Sequence, residues 1–163
     1  MKRTAVVIST LVSAASLIVA APVQAAPASP RVITVLGGNA TLAVSDLNAP
    51  GPTPGDIRTL SLALTNTKGQ PAGRAEVVQT LTRQDGNVGT AVKVVVLSLP
   101  RGTITGIGLT QFTDFTDPKG RPNDTTERIA VVGGTGAFVG AKGQMDIVVL
   151  PDFGSRWTIT LDH

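Results

Sequence analysis

The stretch that decides the fold is IAVVGGTGAFVGAKGQMDIVV, which occupies residues 129–149. Its glycines are typical of a dinucleotide-binding loop, where backbone N–H groups approach a pyrophosphate. The context argues against that site, because the spacing from Gly136 to Gly140 is one residue too long. In addition, the residues after Lys142 alternate like a strand instead of opening a helix. The stretch therefore predicts antiparallel strands joined by a tight glycine turn.

The same pattern of short β-rich runs and turn residues recurs through the rest of the chain. The 18 Gly and 11 Pro residues interrupt helical periodicity wherever it begins. Nine candidate strands follow, at residues 31–36, 40–46, 57–65, 73–82, 91–99, 103–111, 127–132, 137–150 and 153–161. This density of strands favours an antiparallel barrel or sandwich over strand–helix–strand units.

The first 25 residues have the three-part layout of a secretory signal peptide. Lys2 and Arg3 precede an apolar or small run over residues 5–21, and Ala25 ends a cleavage-type motif. A permanent anchor is the alternative, but this run is at the short end of the spanning range of roughly 17–25 residues. We therefore expect cleavage near Ala25 and a secreted mature protein that does not span a membrane.

Composition excludes several kinds of chemistry. The chain has no Cys, which excludes a disulfide scaffold and a cysteine nucleophile. Its single His is the last residue, His163, which argues against a histidine metal site or a Ser-His-Asp triad. The net charge of +3 points toward nucleic acid, but without Lys2 and Arg3 there are 12 basic residues against 11 acidic ones. These charges are scattered, so we expect no nucleic-acid partner and no metal.

The apolar pattern of the strands suggests how the surface is used. Leu60, Leu62 and Leu64 share one face, which indicates a strand with one buried face. Apart from Lys93 and Ser98, residues 92–99 and 129–132 are instead apolar on both faces. Other copies of the chain could cover the outer face of these strands, although exposed valines also simply favour strand structure. We expect a homo-oligomer.

Three short motifs resemble those of the allene oxide cyclase and dirigent superfamily. Residues 131–138 and 141–143 are similar to its "GGTG-x-F … A-R-G" signature, with Lys142 in place of the Arg. Residues 55–56 and 73–76 resemble two further blocks, the second close to the dirigent "G-R-A-Q". The resemblance implies an eight-stranded antiparallel β-barrel with a central pocket, one short predicted strand lying outside it. It also implies that the expected homo-oligomer is a trimer, with a dimer as the alternative. Domain boundaries follow: a signal peptide at 1–25, an N-terminal segment at 26–39 and the barrel at 40–163.

The resemblance also implies what such a barrel does, without any cofactor. Dirigent proteins bind radical intermediates and bias their coupling, and allene oxide cyclases hold a reactive epoxide while it cyclises. We therefore expect a small apolar ligand in the barrel and an isomerase- or cyclase-like steering of its reaction. The alternative is a non-catalytic extracellular carrier or a structural oligomeric module. A pocket lined only by aliphatic side chains would favour the carrier, and converging charges would favour an enzyme.

Asp56 and Arg58 are the candidate catalytic pair. They share strand parity with Leu60, so they could point into the barrel near its mouth, where the carboxylate would serve as acid or base. The alternative is a solvated strand end after a proline-rich loop, which we favour because charged residues are mostly exposed.

Arg74, Glu76 and Lys142 are candidate binding residues. Arg74 and Glu76 share one face, where they either line the pocket or form a structural ion pair. For Lys142 a surface or turn charge is the favoured interpretation.

An acidic loop could suggest calcium, since it contains Asp114, Asp117, Asn123 and Asp124. Their spacing fits no EF-hand loop, so a solvated acidic loop is the favoured interpretation.

Overall fold

The computed structural model describes residues 30–86, 88–117, 126–150 and 154–162. The predicted signal peptide at residues 1–25 lies outside these ranges, so it stays a prediction. Within the described ranges, no helix has the length and apolar character needed to cross a membrane.

The described residues form nine strands and one short 3-10 turn at Gly136–Phe138. The strands are β1 Arg31–Gly37, β2 Thr41–Ser45, β3 Ile57–Thr65, β4 Pro71–Asp85, β5 Val88–Leu99, β6 Gly102–Phe112, β7 Thr126–Gly134, β8 Lys142–Val149 and β9 Ser155–Asp162.

Eight of these strands close into an antiparallel barrel, as the sequence predicted. The strands are joined in the order β1-β9-β8-β7-β6-β5-β4-β3, and β1 closes the ring on β3 through the pairs Leu36–Thr65 and Gly37–Leu64. Strand β2 is the short strand outside this ring, and it pairs only with the first half of β3. Closure gives nearly every strand two hydrogen-bonded neighbours, which removes exposed sheet edges.

Two predicted boundaries are wrong. Strand β1 pairs with β9 along its full length, from Arg31 to Gly37, so the barrel begins at residue 31 and not at residue 40. The predicted strand 137–150 is shorter, because Gly136 and Gly140 have positive φ angles of 59° and 74°. These left-handed conformations turn the chain before β8 begins at Lys142.

The barrel interior is apolar over most of its length. Aliphatic side chains from all eight barrel strands, with Met145 and Trp157, form one continuous core. At the end where β1 and β8 begin, Phe138 packs against this core with only 4% of its surface exposed. We call this the Phe138 end. The opposite end, where β3 begins, is the Arg58 end, and its interior carries buried polar side chains.

Candidate functional site

A row of polar side chains crosses the barrel interior near the Arg58 end. Arg58 on β3 lies directly opposite Gln79 on β4, and Gln79 lies directly opposite Lys93 on β5. Glu127 on β7 completes the row through a bond to Lys93. All four residues are buried, with exposed fractions of 1–7%. We call these four residues the polar row.

Lys93 and Glu127 form a buried ion pair, with 2.6 Å between Nζ and Oε2. The strand between them, β6, presents Gly108 directly opposite Lys93. A Cβ atom at Gly108 would lie only 2.6 Å from Cγ2 of Ile129, so no larger residue fits there without displacing β7. The missing side chain lets β7 pack close to β6, with Ile129 filling the space. Because the pair is buried, substitution of one partner would destabilise the protein by leaving the other charge uncompensated.

Arg58 is held by aromatic and carbonyl groups. Its Nε donates to Oε1 of Gln79, and its Nη1 donates to the carbonyl oxygens of Phe115 at 3.1 Å and Asp117 at 3.2 Å. The guanidinium also lies over the ring of Phe112, 3.7 Å from its centroid. Phe112 and Phe115 are in edge-to-face contact at 5.5 Å. This stacking requires a planar guanidinium. It also holds in place the segment that follows β6.

A cavity of about 80 Å³ opens beside the polar row. Arg58, Gln79 and Lys93 line it together with aliphatic side chains and the indole of Trp157. The indole Nε1 donates to Oγ of Ser155 at 2.7 Å, which fixes the ring against the cavity. The site therefore combines an apolar wall with two cations and an amide, the composition of a small-molecule site.

Asp56 and Arg58 do not lie at a solvated strand end. Each is only about 1% exposed, so the interpretation that we favoured is wrong. Arg58 does point into the barrel, as its parity with Leu60 predicted.

Asp56 is instead part of the loop before β3. Its carboxylate accepts backbone hydrogen bonds from Leu47 at 2.9 Å and Thr53 at 2.7 Å. These bonds, with the Thr53 hydroxyl, hold the pKa of Asp56 below its ordinary value although burial opposes them. Asp56 does not line the cavity. The two predicted catalytic residues therefore do not share one site, because Arg58 faces the cavity and Asp56 accepts hydrogen bonds within the loop before β3.

The three predicted binding residues lie away from this cavity. Arg74 and Glu76 form an ion pair at 3.3 Å on the outer face of β4, with side chains 62% and 51% exposed. Ser61 accepts from Arg74 and donates to Glu76 in the same network. Lys142 is exposed at the start of β8, next to Asp162 at the Phe138 end. Whether any of them binds a ligand stays a prediction.

The acidic loop is only partly within the described ranges, since Asn123 and Asp124 lie outside them. Oδ1 of Asp114 accepts from the hydroxyl and the backbone N–H of Thr116, which lowers the pKa of Asp114, and the charge of Arg58 adds to this. Among the described residues, no three His, Cys, Asp or Glu side chains gather as a metal site would require.

Three members of the polar row were missed by sequence reasoning. Gln79 shares parity with the apolar Val77 and Leu81, and Glu127 shares parity with Ile129. Lys93 is the one charge in an otherwise apolar strand. The signal was therefore present, but residues 92–99 are apolar on both faces, so parity alone did not reveal which face was inside.

Comparison with known proteins supports the architecture. A pyocyanin demethylase has the same fold with a TM-score of 0.65 at 20% identity, over 80% of this chain and 99% of that chain. An exo-specific intermolecular Diels-Alderase, AbnU, gives 0.62 at 18% identity, over 83% of this chain and 100% of that chain. The shared feature is the closed antiparallel β-barrel.

A third solved structure is described as a nonspecific heme-binding cyclase that catalyses a 4 + 2 cycloaddition during neoabyssomicin biosynthesis. It gives a TM-score of 0.62 at 16% identity, over 83% of this chain and 68% of that chain. Identities this low establish the shared fold alone. No protein-family model and no curated protein matches the sequence.

Proposed function

We propose that the barrel binds a small, largely apolar molecule with an oxygen-bearing end at the polar row, and that it steers a cyclisation or coupling of that molecule. One observation carries this proposal: Arg58, Gln79 and Lys93 converge on a cavity whose other walls are apolar. Converging charges are the feature that favours an enzyme over a carrier.

The chemistry of the row suits a carbonyl or enolate oxygen. Guanidinium and ammonium groups donate hydrogen bonds, and such donors matter most where negative charge grows during the reaction. The row carries two cations against one carboxylate, so it favours an oxygen that gains electron density. Glu127 holds the Lys93 ammonium in place, which reduces reorganisation when the substrate reacts.

The size of the cavity limits what enters it. Its volume of about 80 Å³ is smaller than the roughly 150 Å³ of a cavity known to take benzene. One end of a substrate fits, so the remainder would lie at the mouth of the barrel. A substrate whose end is held against Trp157 would be restricted to one conformer of its reacting chain. Restricting the conformers in this way accelerates a ring closure.

Two comparisons support steering of a cyclisation. The motifs at residues 131–143 resemble allene oxide cyclases and dirigent proteins, and two structural neighbours are described as cycloaddition catalysts. Both arguments rest on analogy of fold. The proposal that this barrel steers a cyclisation therefore rests on the residues of the polar row.

Binding is tested with Trp157, the only Trp in the chain. Because its indole lines the cavity, hexan-2-one, whose narrow acetyl end suits the cavity, should shift or quench its emission, and hexane, which has no carbonyl, should do so much less. The double variant Lys93→Met/Glu127→Leu keeps the cavity apolar and should lose the preference for the ketone. Equal responses to both probes in the unmodified protein would contradict the role of the polar row.

Turnover is tested on molecules that co-purify with the mature protein, identified by mass spectrometry. A cyclisation leaves the molecular mass unchanged, so substrate and product separate by chromatography at one mass. Conversion by the unmodified protein, and its loss in Arg58→Gln, would support the enzyme. A ligand that is recovered unchanged would favour the carrier, and the absence of any ligand that raises the melting temperature would contradict both.

We also propose that the protein is exported with cleavage near Ala25 and assembles as a homo-oligomer. Val78, Val94 and Ile107 lie side by side on the outer face of β4, β5 and β6, and Leu109 nearby is 64% exposed. N-terminal sequencing of the secreted protein tests the first point.

Light scattering tests the second point. Leu109→Lys should lower the mass of the assembly, whereas Val139→Lys, at the Phe138 end, should not. A monomeric unmodified protein would contradict the oligomer.

A further inference from the structure

A second and larger cavity lies at the Phe138 end, away from the polar row. Its volume is about 280 Å³, close to the lower limit of roughly 300 Å³ for ligand pockets. Its apolar walls include Ile33, Leu99, Pro100 and Phe138. None of these residues lines the cavity beside the polar row, so the two cavities are separate sites.

Two guanidinium groups also line this cavity, those of Arg31 and Arg101. No described residue forms an ion pair with either of them, and none of the lining residues is acidic. Arg31 lies over the ring of Phe138, with 5.1 Å between its guanidinium carbon and the ring centroid. The cavity therefore places two cationic side chains beside an apolar surface, which complements an amphiphilic anion.

The glycine-rich segment that dominates the sequence builds this cavity. The backbone N–H of Ala137 donates to the carbonyl of Arg101 at 2.8 Å, and that of Thr135 donates to Thr103 at 2.9 Å. The hydroxyls of Thr103 and Thr135 are 2.8 Å apart. These bonds tie the 3-10 turn to the β5–β6 turn, so Phe138 and Arg101 are held by one connected backbone. A cavity formed in this way is preorganised, which lowers the entropic cost of binding.

We propose that this cavity binds a small amphiphilic carboxylate, with its alkyl or aryl part against Phe138 and Leu99 and its carboxylate between Arg31 and Arg101. A carboxylate suits the site because guanidinium groups bind it through paired, charge-assisted hydrogen bonds. The apolar part is required as well, since two exposed guanidinium groups alone bind simple anions weakly.

Calorimetric titration of the mature chain with octanoate tests the proposal. We expect a dissociation constant of about 1 mM for octanoate, and much weaker binding of acetate, octan-1-ol and octylamine. Arg31→Gln and Arg101→Gln should each weaken octanoate binding by about tenfold, because Gln stays polar but loses the charge and the guanidinium fork. Arg83→Gln is the matched control, since Arg83 is an exposed arginine on the β4–β5 hairpin at the other end.

Two readouts separate this site from the polar row, which also carries cations. Octanoate bound at the Phe138 end should leave the emission of Trp157 unchanged and should bind Lys93→Met/Glu127→Leu normally. A change in Trp157 emission, or lost binding in that double variant, would place octanoate at the polar row and overturn the proposal. Equal binding of octanoate and octan-1-ol, or unaltered binding in both arginine variants, would overturn it too. Absence of octanoate binding would do the same and leave the polar-row proposal standing.

Discussion

Lys93 and Glu127 are joined across the strand that separates them, with 2.6 Å between Nζ and Oε2, and Gly108 on that strand lets β7 pack close to it. The pair therefore links β5 to β7 inside the barrel, and both side chains are about 5% exposed. A buried pair of this kind orients charge within the cavity, and it is costly to break because neither partner can be resolvated.

Breaking this ion pair from one side should destabilise the protein strongly. We expect Lys93→Met or Glu127→Leu alone to lower the free energy of unfolding by about 3–5 kcal/mol. The double variant should be more stable than either single variant, since it leaves no uncompensated charge. Urea unfolding of all four proteins measures the coupling energy, and additive losses would show that the two charges act independently.

Arg58→Lys should also be destabilising, by about 2–4 kcal/mol. Lysine keeps the charge but loses the stacking on Phe112 and the bond from Nη1 to Phe115. The matched control is Arg74→Lys, because the Arg74 side chain is 62% exposed in its ion pair. That control should cost less than about 1 kcal/mol. Equal losses in the two variants would mean that the planar guanidinium of Arg58 is not required.

Two adjacent glycines should respond differently to alanine. A Cβ at Gly134 would lie 2.7 Å from Cβ of Phe138 and in contact with the Thr103 carbonyl, whereas a Cβ at Gly133 would meet nothing within 4 Å. Gly134→Ala should lower stability by about 1–3 kcal/mol or more, and Gly133→Ala should change it by less than about 0.5 kcal/mol. Thermal unfolding measures both, and similar melting temperatures would contradict the close packing at Phe138.

Asp56 should contribute stability that depends on pH. Its folded pKa lies below the ordinary value of 3.8, so this contribution is present above about pH 4 and is lost as the pH falls through the folded pKa. Asp56→Asn should therefore be less stable than the unmodified protein at about pH 6, and the difference should shrink toward about pH 2.

Urea unfolding across this pH range measures the difference. Asp85→Asn, at a carboxylate that is 73% exposed, controls for the change in net charge. A stability difference that stays constant over the whole pH range would contradict the lowered pKa of Asp56.

The sequence by itself determined the class of fold and part of its interior. Short apolar runs separated by Gly and Pro cannot form long helices, and they specify antiparallel strands through alternation and turn chemistry. The parity of Arg58 with Leu60 was consistent with a place inside the barrel, although a solvated strand end was the favoured interpretation. Parity does not show how deeply a charged side chain is buried or which groups it contacts. For this reason both Asp56 and Arg58 were expected at a solvated strand end.

The tertiary structure decided which polar residues meet. Residues 92–99 are apolar on both faces, so only the closure of the barrel shows that Lys93 faces inward. Its bond to Glu127 depends on the register of three strands and on the missing side chain at Gly108. Likewise, the glycine-rich stretch at residues 129–149 predicted a turn. Only the packing of that turn against Arg101 shows that it forms one end of the barrel, because contacts between distant segments are set by how the strands close and not by their local sequence.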